Sequence, residues 1–180
     1  SLILYQKSKL NNFPILPLLT GVSIVNGIYN SSYIQLGLKW PNDIMLSQRK
    51  MGGILIETKS TNKGLCIVIG IGLNINETEF DIHSEVKDYS TSLSIYSGEK
   101  FVREKLLAEV LNSFETLYSA DWNDIISIWS KYCIHNNSII SFNNDDGYHK
   151  GLFQGINQNG HALIMIDKKL KTFSGGVVTL

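Results

Sequence analysis

Two long runs of strand-forming residues, GGILIETK and GLCIVIGIGLNIN, meet at a short polar turn formed by residues 61–64. Both runs are rich in β-branched and apolar residues, and the turn carries Asn62 and Gly64, which is typical of a hairpin. Two long strands closed by a short turn indicate an antiparallel sheet. This hairpin constrains the fold more than any other feature of the chain.

Three helices are predicted around this sheet. Residues 15–29 repeat apolar side chains with a helical period, and Pro14 suits the first turn of that helix. Residues 101–118 and 124–132 show the same periodicity, which predicts two more helices that cover the sheet. The fold class is therefore α+β, a mostly antiparallel mixed sheet covered by helices. Further strands are predicted at LILYQ, YIQLGLKW and IML, and a polar surface loop at 77–92.

The sequence pattern changes after His135. Five short strands separated by glycine-containing turns follow over about 45 residues, which indicates a small barrel or sandwich. The chain is therefore divided into a domain at 1–134 and a small β domain at 135–180. The predicted strands of the second domain are SIISF, HKGLFQGI, HALIMI, KTFS and VVTL.

Composition argues against several classes of partner. The 16 basic and 16 acidic residues cancel, so no net charge attracts the chain to nucleic acid or to an anionic membrane. The longest apolar run, LCIVIGIGL, is far shorter than the about 18 residues of a membrane span. Cys66 and Cys133 each lie among apolar residues, which favours reduced thiols in a reducing compartment, the cytoplasm. The chain opens inside a predicted strand, with neither Met nor a signal peptide, so we expect a fragment of a longer protein.

The stretch KWPNDIMLSQRKMGGILIE carries the first candidate chemistry. Pro41, Asn42 and Asp43 form turns routinely, and a hairpin around 47–48 accounts for the local fold. Lys50 is different, because an ammonium group just before a buried-looking apolar strand requires an anionic partner. A hairpin that brings Asp43 close to Lys50 would supply one Mg²⁺ ligand and one partner for a phosphate or carboxylate. Such a pair suits phosphoryl or nucleotidyl transfer.

A second candidate lies in VIGIGLNIN, where Gly70 and Gly72 alternate on one face of a buried strand. Glycine weakens a strand, so the pattern indicates either a bulge with close packing or a ligand that lies flat on the backbone. The spacing alone does not decide between the two. It is not a dinucleotide-binding fingerprint, because the third glycine and the following helix are both missing.

These motifs resemble the signature blocks of the biotin protein ligases. KWPND, then RKMGGILIE seven residues on, then IGIGLNIN, stand in the order and at the spacing of that family. The similarity continues through TSL at 91–93, the helix LLAEVLNSFETLY, Trp129 and the β-rich tail, so it covers nearly the whole chain. The resemblance implies a class II synthetase-like (biotin ligase-like) catalytic domain followed by a small SH3-like β-barrel.

The resemblance also implies a reaction in two steps. Biotin and ATP, with Mg²⁺, form biotinyl-5′-AMP and pyrophosphate, and a lysine of a carrier domain then attacks the mixed anhydride to give an amide. The implied partner is the biotin carboxyl carrier protein domain of a carboxylase. A homodimer is left open.

The resemblance assigns roles to named residues. Lys50 would be the catalytic lysine, holding the biotin carboxylate and the α-phosphate as negative charge builds between them. Asp43 would also hold Mg²⁺, Lys39 would face the triphosphate, and Asn74 would contact the adenine. The implied biotin site comprises Lys50, Gly53, Ile54, Leu55, Gly70 and Gly72, and the implied nucleotide site comprises Lys39, Asn42, Asp43 and Asn74.

The chain departs from the family pattern in two places. The GRGR-x-GR loop and the Ser/Thr-Thr-Asn motif of the family occur nowhere in these 180 residues, and Gly175-Gly176-Val177 replaces the Gly-Glu before the last strand. Because the missing arginines would meet the adenylate phosphate, we expect the 180-residue chain on its own to fold but to be catalytically incompetent. Two alternatives stay open: a non-catalytic biotin-binding or regulatory remnant, and a relative that ligates lipoate or octanoate.

Overall fold

The computed structural model describes residues 1–6, 15–62, 64–144 and 147–179, and it confirms the α+β class. Residues 7–14, which include the Pro14 expected in the first turn of the first helix, lie outside the described residues. No helix among the described residues is long and apolar enough to cross a membrane. The helices are α1 (Leu16–Ser32), α2 (Leu93–Ser97), α3 (Arg103–Tyr118) and α4 (Trp122–Tyr132). The strands are β1 (Leu2–Gln6), β2 (Gly37–Lys39), β3 (Asp43–Leu46), β4 (Arg49–Thr61), β5 (Gly64–Leu73), β6 (Ile139–Asn144), β7 (Gly147–Ile156), β8 (Ala162–Ile166), β9 (Lys169–Phe173) and β10 (Val177–Thr179).

The first sheet has the strand order β1-β5-β4-β3-β2 and antiparallel ladders throughout. Its longest ladder is the predicted β4–β5 hairpin, which runs from the pair Gly52↔Leu73 to the pair Thr61↔Gly64. The mixed character expected from the sequence is limited, within the described residues, to two isolated parallel bridges that involve Leu38 and Lys50. The predicted antiparallel hairpin is confirmed.

Helix α1 covers one face of this sheet and is itself covered by α3 and α4. It is buried along most of its length, and the hydroxyls of Thr20 and Ser23 donate to helix carbonyls four residues back, so no buried hydroxyl is left unpaired there. The opposite face of the sheet exposes large apolar side chains, among them Ile3, Tyr5 and Leu55. A ligand can therefore reach the sheet from that face.

Two local predictions are corrected. The strand predicted at 33–40 shrinks to Gly37–Lys39, because Tyr33 takes a left-handed conformation (φ 58°) that ends α1. The predicted surface loop at 77–92 turns inward at its end, where Thr91 and Ser92 are buried. Ser92 is held there because its hydroxyl accepts from Ile95 N and donates to the Glu77 carbonyl.

The second sheet has the order β10-β6-β7-β8-β9 and is also antiparallel. Its buried side chains include Phe142, Phe153, Ala162 and Ile164. Where the sequence predicts a barrel or sandwich, the structure has an open sheet, since the strand pairing of the described residues does not join β9 to β10. The Trp40 indole donates to the Gly160 carbonyl at 3.0 Å and so links the two sheets.

Candidate active site

The β3–β4 hairpin brings Asp43 and Lys50 together. Its two turn residues, Ser47 and Gln48, both have positive φ (47° and 68°), as a tight hairpin of this twist requires. A register shift between Ile44 and Met45 of β3 precedes the turn, and the Lys50 Nζ lies 2.5 Å from Asp43 Oδ1. The contact between the two groups, expected from the sequence, is present.

Asp43 also meets a second cation. Lys39 Nζ lies 2.9 Å from Asp43 Oδ2 and donates to the Val178 carbonyl at 3.1 Å. The side chains of Lys39 and Asp43 are 16% and 15% exposed, whereas that of Lys50 is 49% exposed. We call these three residues the lysine–aspartate cluster. Two ammonium groups and one carboxylate leave one positive charge, and the exposed ammonium of Lys50 presents it to solvent, where it attracts an anion.

The cluster does not suit Asp43 as a metal ligand. Both carboxylate oxygens already lie against ammonium groups, which would repel a divalent cation. Among the described residues there is no group of three or more His, Cys, Asp or Glu side chains that could hold a metal ion. We therefore assign no magnesium step to Asp43.

A groove of about 400 Å³ lies on the open face of the first sheet beside Lys50. Gly53 pairs with Gly72 and Leu55 pairs with Gly70 across β4 and β5, so glycines form much of its base. A Cβ added at Gly72 would meet nothing within 4 Å, and one added at Gly53 would lie 3.6 Å from the Lys50 Nζ. We call this the glycine groove. It is lined by Ser1, Asn42, Lys50, Gly53, Ile54, Leu55, Gly70, Ile71 and Gly72, which include all six residues predicted for the biotin site.

The two apolar residues of the predicted biotin site differ in what they present. Leu55 is 63% exposed and its side chain stands beside the groove, whereas Ile54 is 3% exposed and points toward Gly21 of α1. Neighbouring residues of a strand face opposite sides of a sheet. Both residues therefore line the groove, as the biotin site implied by the resemblance requires, but only Leu55 does so with its side chain, and Ile54 meets the groove through its backbone.

Asn42 and Asn74 hold the backbone around Lys50. The Asn42 amide donates to the Ile54 carbonyl at 2.7 Å, and Ile54 N donates back to the Asn42 carbonyl at 3.0 Å. Asn74 donates from its side chain to the Thr91 carbonyl and from its backbone to the Met51 carbonyl. Asn42 lines the groove, and Asn74 is not among its lining residues. Contact of either residue with a nucleotide stays a prediction.

Sequence reasoning missed two features of the site. Lys50 N donates to the Tyr89 carbonyl at 2.7 Å and Thr91 N donates to the Lys50 carbonyl at 2.9 Å, so the segment 89–91 fixes the backbone of the lysine. A Cβ at Gly52 would collide with the Gly72 carbonyl oxygen and with Leu73. The Gly52-Gly53 pair in the sequence could have indicated the close packing at Gly52. The contact between Lys50 and residues 89–91 joins distant parts of the chain, so no local sequence pattern predicts it.

Cys133 and His135 lie near the cluster but are not suited to nucleophilic catalysis. Burial lowers the pKa of His135 to about 4, with a smaller contribution from Lys39, and burial raises the pKa of the Cys133 thiol to about 11. The Cys133 Sγ lies 3.5 Å from the His135 Nδ1. At neutral pH both groups are therefore uncharged, whereas a nucleophilic cysteine needs a thiolate.

Comparison with known proteins agrees with this site. The model of the "Biotin/lipoate A/B protein ligase family" matches residues 1–74, which contain both the lysine–aspartate cluster and the glycine groove. The chain is 34% identical over 176 residues to the bifunctional ligase/repressor BirA of Bacillus spizizenii, a match that takes in 95% of this chain and 54% of that protein. The chain belongs to the biotin protein ligase family.

Solved structures of the family share the whole fold. The biotin protein ligase of Aquifex aeolicus has a TM-score of 0.85 and 25% identity, with 98% of this chain and 79% of that chain covered. A structure of the same ligase in complex with biotin and ATP has a TM-score of 0.83 at 25% identity, covering 98% of this chain and 75% of that chain. The chain spans about half the length of the bacterial BirA proteins that it matches.

Proposed function

We propose that the protein is a biotin protein ligase, which activates biotin with MgATP to biotinyl-5′-AMP and transfers it to a lysine of a biotin carboxyl carrier protein domain. The observation that carries the proposal is the glycine groove with the half-exposed ammonium of Lys50 beside it. A flat ring system needs a base without side chains, and its carboxylate needs a cation at the edge. The family relatives, whose names are those of biotin ligases, support the same substrate.

The base of the groove suits the fused rings of biotin. Gly53, Gly70 and Gly72 present backbone to the ligand, and Leu55 offers apolar surface at the side. Backbone amides and carbonyls there are candidates to pair with a ureido group, and aliphatic contact with Leu55 removes apolar area from water.

Lys50 acts as a fixed positive charge and not as a nucleophile. A biotin carboxylate oxygen attacks the α-phosphorus of ATP, the bond from that phosphorus to the bridging oxygen breaks, and pyrophosphate leaves with the bonding electrons. In the second step the neutral amine of the carrier lysine attacks the anhydride carbonyl, AMP leaves with the bonding electrons, and the nitrogen loses one proton to give the amide. The ammonium of Lys50 contributes most in the first transition state, where negative charge accumulates between carboxylate and phosphate.

The nucleotide is assigned to the end of the groove at the lysine–aspartate cluster. Asn42 and Asp43 lie at that end, and Asn74 is bonded to Thr91 in the segment that fixes Lys50. Magnesium arrives with the nucleotide as MgATP, and the protein contributes the positive charge of Lys50. Contacts from Asn42, Asp43 and Asn74 to the nucleotide are part of the proposal. Lys39 is assigned no such contact, because its ammonium is already bonded to Asp43 and to the Val178 carbonyl.

We infer a domain boundary at 134/135, with residues 135–180 forming an SH3-like barrel that curls round without hydrogen bonds between β9 and β10 in the described part of the chain. Curvature of the second sheet supports this: the rings of Phe142 on β6 and Phe173 on β9 are 4.6 Å apart. The two strands are separated by β7 and β8, and a flat sheet would hold them about 14 Å apart. Deleting 135–180 should leave a cooperatively folded core with impaired transfer; a core that cannot fold alone would contradict the boundary.

The cellular setting follows from the same proposal. Two free cysteines agree with a reducing compartment, and we place the protein in the cytoplasm, where the carboxylase carrier domain is the acceptor. A homodimer is left open.

The decisive experiment is ligand-dependent pyrophosphate exchange into ATP by the full-length protein, paired with calorimetric titration of biotin. Exchange that depends on biotin and not on lipoate or octanoate is the expected result. Exchange driven by lipoate or octanoate would assign the protein to the related ligases. Biotin binding without exchange would leave a non-catalytic biotin-binding protein and would overturn the proposed activity.

A further inference from the structure

Two residues of β2 and the residue that follows this strand make three separate contacts with the segment after α4. The Leu38 carbonyl accepts from Ile134 N at 3.1 Å, Lys39 donates to the Val178 carbonyl, and the Trp40 indole donates to the Gly160 carbonyl. The second sheet therefore rests on the strand that leads directly into Asp43. Of these three contacts, the one made by Lys39 also reaches the lysine–aspartate cluster.

The ammonium of Lys39 is committed to protein partners. The side chain is mostly buried, and its nitrogen already meets Asp43 Oδ2 at 2.9 Å and the Val178 carbonyl at 3.1 Å. An ammonium group has three donors, and burying it is costly unless they are paired. The triphosphate contact expected from the sequence would need this nitrogen to leave both partners.

The residues of the lysine–aspartate cluster form a chain of contacts from the second sheet to the groove: Lys39 and Asp43 are mostly buried, and Lys50 at the groove is half-exposed. Lys39 holds one oxygen of Asp43 and leaves the other for Lys50, whose half-exposed ammonium lies beside Gly53. Val178 belongs to β10, an edge strand that pairs with β6, and its carbonyl accepts from Lys39. A displacement of β10 would therefore move Lys39, and with it the carboxylate that orients Lys50.

We propose that Lys39 is a positioning residue, which couples the second sheet to Lys50 by holding both the Val178 carbonyl and Asp43. It does not touch substrate. The role in catalysis rests on the proposed biotin ligase activity, whereas the coupling itself is a property of the fold.

The test compares Lys39→Met, which keeps the stem and removes the charge, with Lys39→Arg, which keeps the charge and donors. Lys59→Met is the matched control, since Lys59 is an exposed lysine on β4 away from the cluster. In the full-length protein, Lys39→Met should lower kcat of pyrophosphate exchange at least about tenfold while KM for MgATP changes less than about threefold. Lys39→Arg should restore most of kcat.

Two readouts need no activity. Amide hydrogen exchange in 139–144 and 177–179 should speed up in Lys39→Met, and the side-chain NMR signal of Lys50 should shift; Lys59→Met should change neither. Trp40→Phe removes the bond to Gly160 without touching Asp43, so it should loosen the second sheet with a smaller loss of kcat and no comparable Lys50 shift.

Several results would overturn the proposal. KM for MgATP rising about tenfold with kcat and amide protection unchanged would make Lys39 a triphosphate ligand. Equal loss of kcat in Trp40→Phe and Lys39→Met would show that docking of the sheet suffices and that no coupling runs through Asp43. An unmodified protein that exchanges no pyrophosphate would count against the proposed function, and amide protection and the Lys50 signal would still decide the coupling.

Discussion

The three glycines of the glycine groove and the turn glycines beside the second sheet are present for different reasons. In the second sheet Gly147 and Gly160 have positive φ (112° and 76°), which the turns at those positions require. In the first sheet Gly53, Gly70 and Gly72 are absent from the positive-φ residues, and an added Cβ would meet no atom closer than 3.5 Å. Neither backbone conformation nor packing explains them. Strand glycines with ordinary φ, at positions where a Cβ would fit, agree with the proposal that a ligand lies against their backbone.

The sheets also differ in where they place charge. The second sheet exposes its strand lysines, including Lys150, Lys169 and Lys171. The first sheet holds Lys39 and Asp43 mostly out of solvent. Burying charged groups costs stability unless they are paired, so such a cluster is found where a function uses it.

The largest expected effect is the loss of activity when the Lys50 charge is removed from the first sheet. In Lys50→Ala, biotin-dependent pyrophosphate exchange should fall by about two orders of magnitude or more, because the lost charge acts mainly in the transition state. Biotin affinity measured by calorimetry should fall much less. Lys59→Ala, an exposed lysine on the same strand, is the control. Near-normal exchange in Lys50→Ala would remove it from the catalytic role.

A pH effect should appear where the two sheets meet. His135 is buried against Phe153, near Cys133 and Lys39, and burial lowers its pKa from about 6.5 to about 4. The unfolded chain therefore binds the proton first, so stability is lost as pH falls from about 6.5 to about 4, by on the order of 3 kcal/mol, and is unaffected by this group above that window.

Denaturant unfolding at several pH values measures this effect. His135→Asn should flatten the dependence of the free energy of unfolding on pH between about 6.5 and 4, while substitution of the exposed His83 should leave it unchanged. An unaltered profile in His135→Asn would mean that the loss of stability in acid comes from other groups.

Filling the groove should separate binding from stability. In Gly72→Val the new side chain enters open space, so biotin affinity should fall by about tenfold to a hundredfold. The free energy of unfolding should hold or rise by up to about 1 kcal/mol, because glycine weakens a strand. Titration calorimetry and denaturant unfolding measure the two quantities. Unchanged affinity would show that the ligand lies elsewhere.

Features that depend on residues close together in the sequence could be predicted, and contacts between residues far apart in the sequence could not. The β4–β5 hairpin, the shared face of Gly70 and Gly72, and the approach of Asp43 to Lys50 follow from the period of a strand and from a two-residue turn. The bond from Lys39 to Val178 spans 139 residues of sequence and has no local signal. Strand alternation predicts that the side chains of Ile54 and Leu55 face opposite sides of the sheet. The family motif, however, assigns both residues to one biotin site without distinguishing side chain from backbone.

The smallest expected effect on biotin binding comes from a glycine of the second sheet. Gly151 lies in β7, and an added Cβ would be 2.6 Å from the Met165 carbonyl oxygen and 2.7 Å from Ile164 Cγ2. Because a backbone oxygen in a paired strand cannot move aside freely, Gly151→Ala should destabilise the protein by about 1–3 kcal/mol. Biotin affinity of the folded protein should stay within about twofold of the unmodified value, since the change is remote from the glycine groove.

Denaturant unfolding and calorimetry on both Gly151→Ala and Gly72→Val test the two roles of glycine. Gly151→Ala should lose stability and keep biotin affinity, whereas Gly72→Val should lose biotin affinity and keep stability. A loss of stability in Gly72→Val as large as that in Gly151→Ala would mean that both glycines serve packing, and the distinction between the glycine groove and the second sheet would fail.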